Sequence, residues 1–158
     1  MTLKTCKIVL SDLRSAEMPV NSKADSYLII HGSFIEHGIR TPLAKKLSYL
    51  LWPDIMELWP FFSDLQFLRQ RYLNVELWHR DRVGDEYVSG YGVIPLNKII
   101  DNNTADFECN LTLEDQPYAV ITGKIQVVPV DPSSVKASSP ETPVRSASPV
   151  IVNQQLIV

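Results

Sequence analysis

The chain has 158 residues, of which 45% are hydrophobic and 21% charged, and carries a formal net charge of -3. That length suits one domain with a tail, able to bury about two-thirds of its unfolded surface without disulfides or metal. Its slight acidity excludes bulk attraction to nucleic acid, so nucleic acid is not an expected partner and any anionic surface must be met by a local basic patch.

Leu3–Leu10 alternates, with Cys6, Ile8 and Leu10 on one face, and predicts a first strand. Ser26–Ile30 predicts a second, ended by the turn signal His31-Gly32. Arg40–Leu43 and Met56–Phe62 are weaker strands, which Pro42, Pro53 and Pro60 confine to edges or bulges. Asp64–Arg71 fits a short helix or a strand entry, and Leu96–Ile100 a single helical turn. Tyr72–Trp78 alternates cleanly, with Leu73, Val75 and Leu77 on one face. Tyr87–Ile94, Asp106–Leu113 and Gly123–Val130 complete the set. Short strands at this spacing, punctuated by Gly, Pro, Asn and Asp, predict an all-β sandwich or barrel over residues 1–130.

Beyond Pro129 the composition shifts to Ser, Pro and small residues without apolar periodicity, which predicts a disordered tail over 131–158 ending in the apolar VIVNQQLIV. Ser139-Pro140, Thr142-Pro143 and Ser148-Pro149 are minimal proline-directed phosphorylation patterns. The segment MTLKTCKIVLSDL has neither the apolar core nor the cleavage site of a signal peptide. No apolar run reaches the roughly 18–20 residues that span a bilayer. Cys6 and Cys109 sit in strands and read as buried thiols in a reducing compartment. A cytoplasmic location, with peripheral attachment to membrane allowed, is the expectation.

Three stretches, in order, resemble C2 domains. IVLSDLRSAE and then Ala24-Asp25-Ser26-Tyr27 stand where that family has an opening strand and "S-D-P-Y", with Ser26 replacing proline. VELWHRDRVGDEYVSGYGVIPL is similar to the block "V-x-V-W-D-x-D … G-x-x-x-I-P-L", through Val75, Leu77, Trp78, Asp81, Arg82, Gly90, Ile94, Pro95 and Leu96. Phe107–Leu111 followed by GKIQVVPV resembles the closing strands. The segment from Leu47 to Asp54 departs most from the family pattern. The resemblance implies an antiparallel, eight-stranded β-sandwich, in the family's second permutation of strand order (type II).

Calcium-binding C2 domains hold the ion with about five acidic residues on two loops, because Ca²⁺ takes roughly 6–8 hard oxygen ligands. Carried onto this chain, Glu17 and Asp25 take the first-loop positions, the D-x-D pair becomes His79-x-Asp81, and the later position falls on Asp85 or Glu86. His79 is the decisive departure, since a neutral imidazole is a poor calcium ligand and a protonated one repels the ion. The set is therefore degenerate. No cofactor beyond weakly held calcium is expected, and Asp25, Asp81 and Asp85 read more readily as turn caps that order their loops.

Lys45, Lys46, Arg69, Arg71, Arg80 and Arg82 are the candidates for meeting anionic lipid, against the alternative of scattered solubilising charge. Trp52, Trp59, Phe61 and Phe62 lie in the dense run LLWPDIMELWPFF, which reads as an exposed apolar contact or as core and edge packing. There is no Gly-rich phosphate loop, G-x-S-x-G or H-E-x-x-H, and the histidines lack metal spacing, so no catalytic residue is assigned. The resemblance thus implies a non-catalytic module. It would associate with anionic phospholipid membrane, independently of calcium or weakly dependent on it. The alternative is a C2-like protein-protein scaffold in membrane-traffic or ciliary and centrosomal assemblies.

Overall fold

The computed structural model describes residues 6–15, 25–45, 50–60, 65–100 and 103–130. Nine strands and one short helix follow in chain order: β1 Cys6–Ser15, β2 Asp25–His31, β3 Ile39–Arg40, β4 Leu51–Trp52, β5 Met56–Leu58, α1 Leu65–Leu68, β6 Tyr72–Arg80, β7 Glu86–Pro95, β8 Thr104–Leu113 and β9 Gln116–Pro129. The ladder runs β3-β2-β6-β7-β8-β9-β1-β4, with β5 also beside β1. β7 and β8 share only the pair Tyr91 and Thr112. That single pairing is the crease at which the ladder folds into two layers, β3-β2-β6-β7 and β8-β9-β1 with its edge. All pairings are antiparallel.

The expected eight strands become nine through one proline. β4 pairs with Leu13 and Arg14 of β1, and β5 pairs with Ile8, Val9 and Leu10, so both occupy the same edge position in succession. Pro53 between them lacks the N–H a continuous strand needs. The predicted Met56–Phe62 strand shortens to Met56–Leu58, and Arg40–Leu43 gives way to Ile39–Arg40. β9 starts seven residues earlier than the expected Gly123, because the β8–β9 hairpin turns on Glu114 and Asp115, whose φ values of 52° and 65° suit a two-residue hairpin loop.

Period-two alternation places the core between the layers. Leu73, Val75 and Leu77 of β6 face Ile121, Ile125 and Val127 of β9 across a cluster that includes Ile8, Leu10, Leu28, Ile30 and Leu111. Fully burying one such side chain contributes roughly 1.5–3 kcal/mol. In β1 the inward positions switch from Ile8 and Leu10 to Leu13 and Ser15. A register shift between Ser11 and Arg14, with Asp12 at φ 53°, makes the switch and keeps Leu13 inside. Opposite, a Cβ on Gly123 would lie 2.9 Å from both Leu13 and Phe107, so this close approach needs glycine. Cys6 and Cys109 are buried and form no disulfide, and burial pushes the Cys109 thiol up to about 12. Among the described residues no helix is long and apolar enough to cross a membrane.

Candidate functional site

Strand direction gathers the sequence-predicted loop residues at one end. β2 begins at Asp25, β6 ends at Arg80 and β7 begins at Glu86; Asp25 and Glu86 both register against Arg80. The bridge between Ser26 and Ala44 brings Lys45 to the same end. Asp81 and Asp85 lie in the tight connection from β6 to β7. Glu17, Lys46, Phe61 and Phe62 lie outside the described residues.

His79 continues the inward face of β6 and is 2% exposed. Its Nδ1 bonds the Ser26 hydroxyl, and its Nε2 lies 2.7 Å from the Tyr118 hydroxyl. The Tyr87 ring packs against it edge-on, with centroids 5.7 Å apart. Burial holds its pKa below the ordinary histidine value. The neutral imidazole donates through one nitrogen and accepts through the other, and a hydroxyl can answer either. Both ring nitrogens are therefore satisfied inside the sandwich, tying β6 to β2 on one side and to β9 on the other.

The Asp81 carboxylate closes its own loop. Oδ1 accepts the backbone N–H groups of Val83 at 2.9 Å, Gly84 at 3.0 Å and Asp85 at 3.0 Å. Gly84 sits at φ 99°, a conformation glycine adopts without strain. The Asp25 carboxylate lies 3.8 Å from Lys45 Nζ. Glu86 Oε1 accepts the Tyr27 hydroxyl at 2.6 Å and lies 3.8 Å from Arg40. Around it, Arg40 covers the Tyr27 ring at 3.9 Å, and Tyr27 stacks on Trp78 at 7° between planes. Burial first, and the bond to Glu86 second, hold the Tyr27 pKa above the ordinary phenol value. Among the described residues no three His, Cys, Asp or Glu side chains are grouped to hold a metal ion. The described groups at this end do not fit calcium, since His79 points inward as a saturated imidazole and one Asp81 oxygen serves three amides.

Of the six basic candidates, the five among the described residues do not converge. Lys45, with its side chain 83% exposed, stands with Arg80 and Arg82 at the loop end, beside Val83 at 86% exposure. Arg69 and Arg71 precede β6 and lie at its other end, nine residues or roughly 25–30 Å away. Trp52 is not an apolar contact surface: it is 1% exposed, in the core, and its Nε1 donates to the Ser26 carbonyl at 3.2 Å. The short β4 between proline-bounded segments turns it inward. Trp59 is half-buried beneath Lys7 Nζ, 5.5 Å from the ring centroid. Sequence reasoning missed Tyr118 and Val83. Tyr118 precedes Gly123, the expected start of the last strand, and only the longer β9 brings it to His79.

No protein-family model and no curated protein matches the sequence. Solved structures do match the fold. A C2 domain of plant Extended Synaptotagmin 1 is 15% identical with a TM-score of 0.64, the match covering 83% of this chain and 99% of that one. Human GIVD cytosolic phospholipase A2 is 11% identical with a TM-score of 0.62, covering 83% of this chain but 17% of that enzyme. CC2D1B is 14% identical with a TM-score of 0.61, covering 80% of this chain and 55% of that one. The chain thus has the C2-domain fold.

Proposed function

We propose that this protein is a non-catalytic C2-type module whose loop end docks on anionic phospholipid membrane without a calcium bridge. The environment of His79 carries the reading. Where the family resemblance puts a bridging carboxylate, a neutral imidazole ties three strands together from within. The loop end is thereby held in shape by hydrogen bonds that need no ion.

Contact with lipid then falls to Lys45, Arg80 and Arg82 for phosphate, and to Val83 for the headgroup boundary. Lys45 makes only a loose 3.8 Å contact with Asp25, the kind of exposed pair that adds little, so its ammonium can turn to a phosphate. Each such residue near an anionic surface contributes on the order of 1 kcal/mol. Three give weak, salt-sensitive docking, which suits a module acting beside a second attachment.

Co-sedimentation with phosphatidylserine vesicles at low salt is the test. The native chain should pellet with them and be released by about 0.5 M salt, where screening is strong. The double variant Arg80→Glu, Arg82→Glu should bind at least tenfold more weakly. Failure to bind phosphatidylserine or phosphoinositide vesicles at low salt would overturn the reading.

A further inference from the structure

At the end of β6 remote from the loops, a groove of about 460 Å³ is lined by Arg69, Gln70, Arg71, Tyr72, Asn74, Val93, Pro95 and Asn97. Its arginines are oriented before any ligand arrives. The Arg69 Nε donates to the Ile99 carbonyl at 3.2 Å, and the Arg71 guanidinium lies 4.3 Å from the centroid of the Phe67 ring. Among the described residues neither pairs with a carboxylate. The remaining wall combines amide side chains with the exposed apolar surface of Tyr72 and Val93, 54% and 45% exposed.

We propose that this groove binds an extended acidic peptide segment of a partner protein. A carboxylate of the segment would sit on the Arg69 and Arg71 guanidiniums, and an apolar side chain on Tyr72 and Val93. Guanidinium donors match carboxylate geometry in parallel pairs, and orienting them beforehand reduces the ordering cost of binding. Asn74 and Asn97 supply donors and acceptors for a peptide backbone, which a compact inorganic anion would not use.

Position selects a soluble occupant over a bilayer. A membrane held at Arg80 and Arg82 stands roughly 25–30 Å from the groove along β6, too far for one flat surface to serve both. Only this choice of occupant rests on the loop-end reading. The two sites would let the domain hold a membrane at one end and a protein at the other.

A fluorescein-labelled hexapeptide of four glutamates and two leucines, titrated with the full chain in an anisotropy assay, tests the inference. Saturable binding is expected, weakened at least tenfold in Arg69→Glu, Arg71→Glu and unchanged in Arg80→Glu, Arg82→Glu. NMR of the native chain keeps the test sound should the first variant fold poorly. The peptide should shift the side-chain amides of Gln70, Asn74 and Asn97 and leave the backbone amides of the 81–85 loop in place. Absence of saturable peptide binding, or shifts confined to the loop end, would overturn the proposal. So would vesicle binding that is lost in the Arg69 and Arg71 variant and kept in the Arg80 and Arg82 variant. That last pattern would also move the membrane surface, whereas loss of vesicle binding alone would leave the peptide groove standing.

Discussion

The two ends of β6 both present arginines, yet their surroundings differ in kind. At Arg80 the neighbouring ionisable groups have local work: Asp81 caps its loop, Glu86 takes the Tyr27 hydroxyl, and His79 is enclosed by Ser26 and Tyr118. At Arg69 and Arg71 the guanidiniums are steered by a carbonyl and a ring, with no carboxylate partner among the described residues. The difference is one of local pairing: polar groups engaged with one another at one end, guanidiniums without a carboxylate among the described residues at the other. In the proposed reading the His79 cluster holds the loop end without an ion, and the arginines at the other end are where a partner would be met.

Replacing His79 should disturb the loop end most. His79→Asp puts a carboxylate into a site shaped for a neutral ring, and burying a poorly compensated polar group costs about 2–4 kcal/mol. A melting temperature lower by roughly 4–16 °C is expected for a domain of this size. Calcium at 1 mM should not restore it, because Asp81 remains engaged with its loop amides. Recovery of the melting temperature by calcium would erase the contrast between the two ends.

A smaller effect is set by protons. Burial lowers the His79 pKa below its unfolded value of 6.5, so the unfolded chain binds more protons. Stability is therefore fully present above about pH 6.5 and falls as pH drops through that value toward the lower folded one. Glu76, lowered chiefly by its bond from His31, adds a separate loss below its unfolded value of 4.5. Urea unfolding at pH 7.5 and 5.5 should show the first loss in the native chain and a flatter profile in His79→Gln. Equal pH dependence in both would mean that the imidazole is not held neutral.

Asp81→Ala is the mildest change. Three loop amides lose their common acceptor but remain near solvent, so about 1 kcal/mol is expected, read as faster hydrogen exchange over Val83–Asp85. Peptide binding in the remote groove should not move. A coupled loss there would show that the ends are not independent.

Much of this was legible in the residues. The alternation of Leu73, Val75 and Leu77 places the core face of β6, but the predicted strand stops at Trp78; His79, assigned by the resemblance to the calcium loop, continues that buried face. Alternation of Cys6, Ile8 and Leu10 likewise fixes the start of β1, but its slip at Asp12 is a backbone event that no pattern of side chains announces. The partners of His79 were not legible, since Ser26 and Tyr118 are 53 and 39 residues away. Trp52 could be wedge or core from its apolar run alone, and only the pairing of β4 with β1 decides it. The basic residues looked like one set because sequence distance hides strand direction. Arg71 and Arg80 are close along the chain but separated by the full length of β6.

Vesicle binding measured against free calcium addresses the loop end most directly. Phosphatidylserine vesicles at low salt, with free calcium raised from a chelated baseline to 1 mM, should capture the same fraction of protein throughout. Binding that appears only with calcium, or rises tenfold across that range, would contradict a loop end held by His79 in place of an ion.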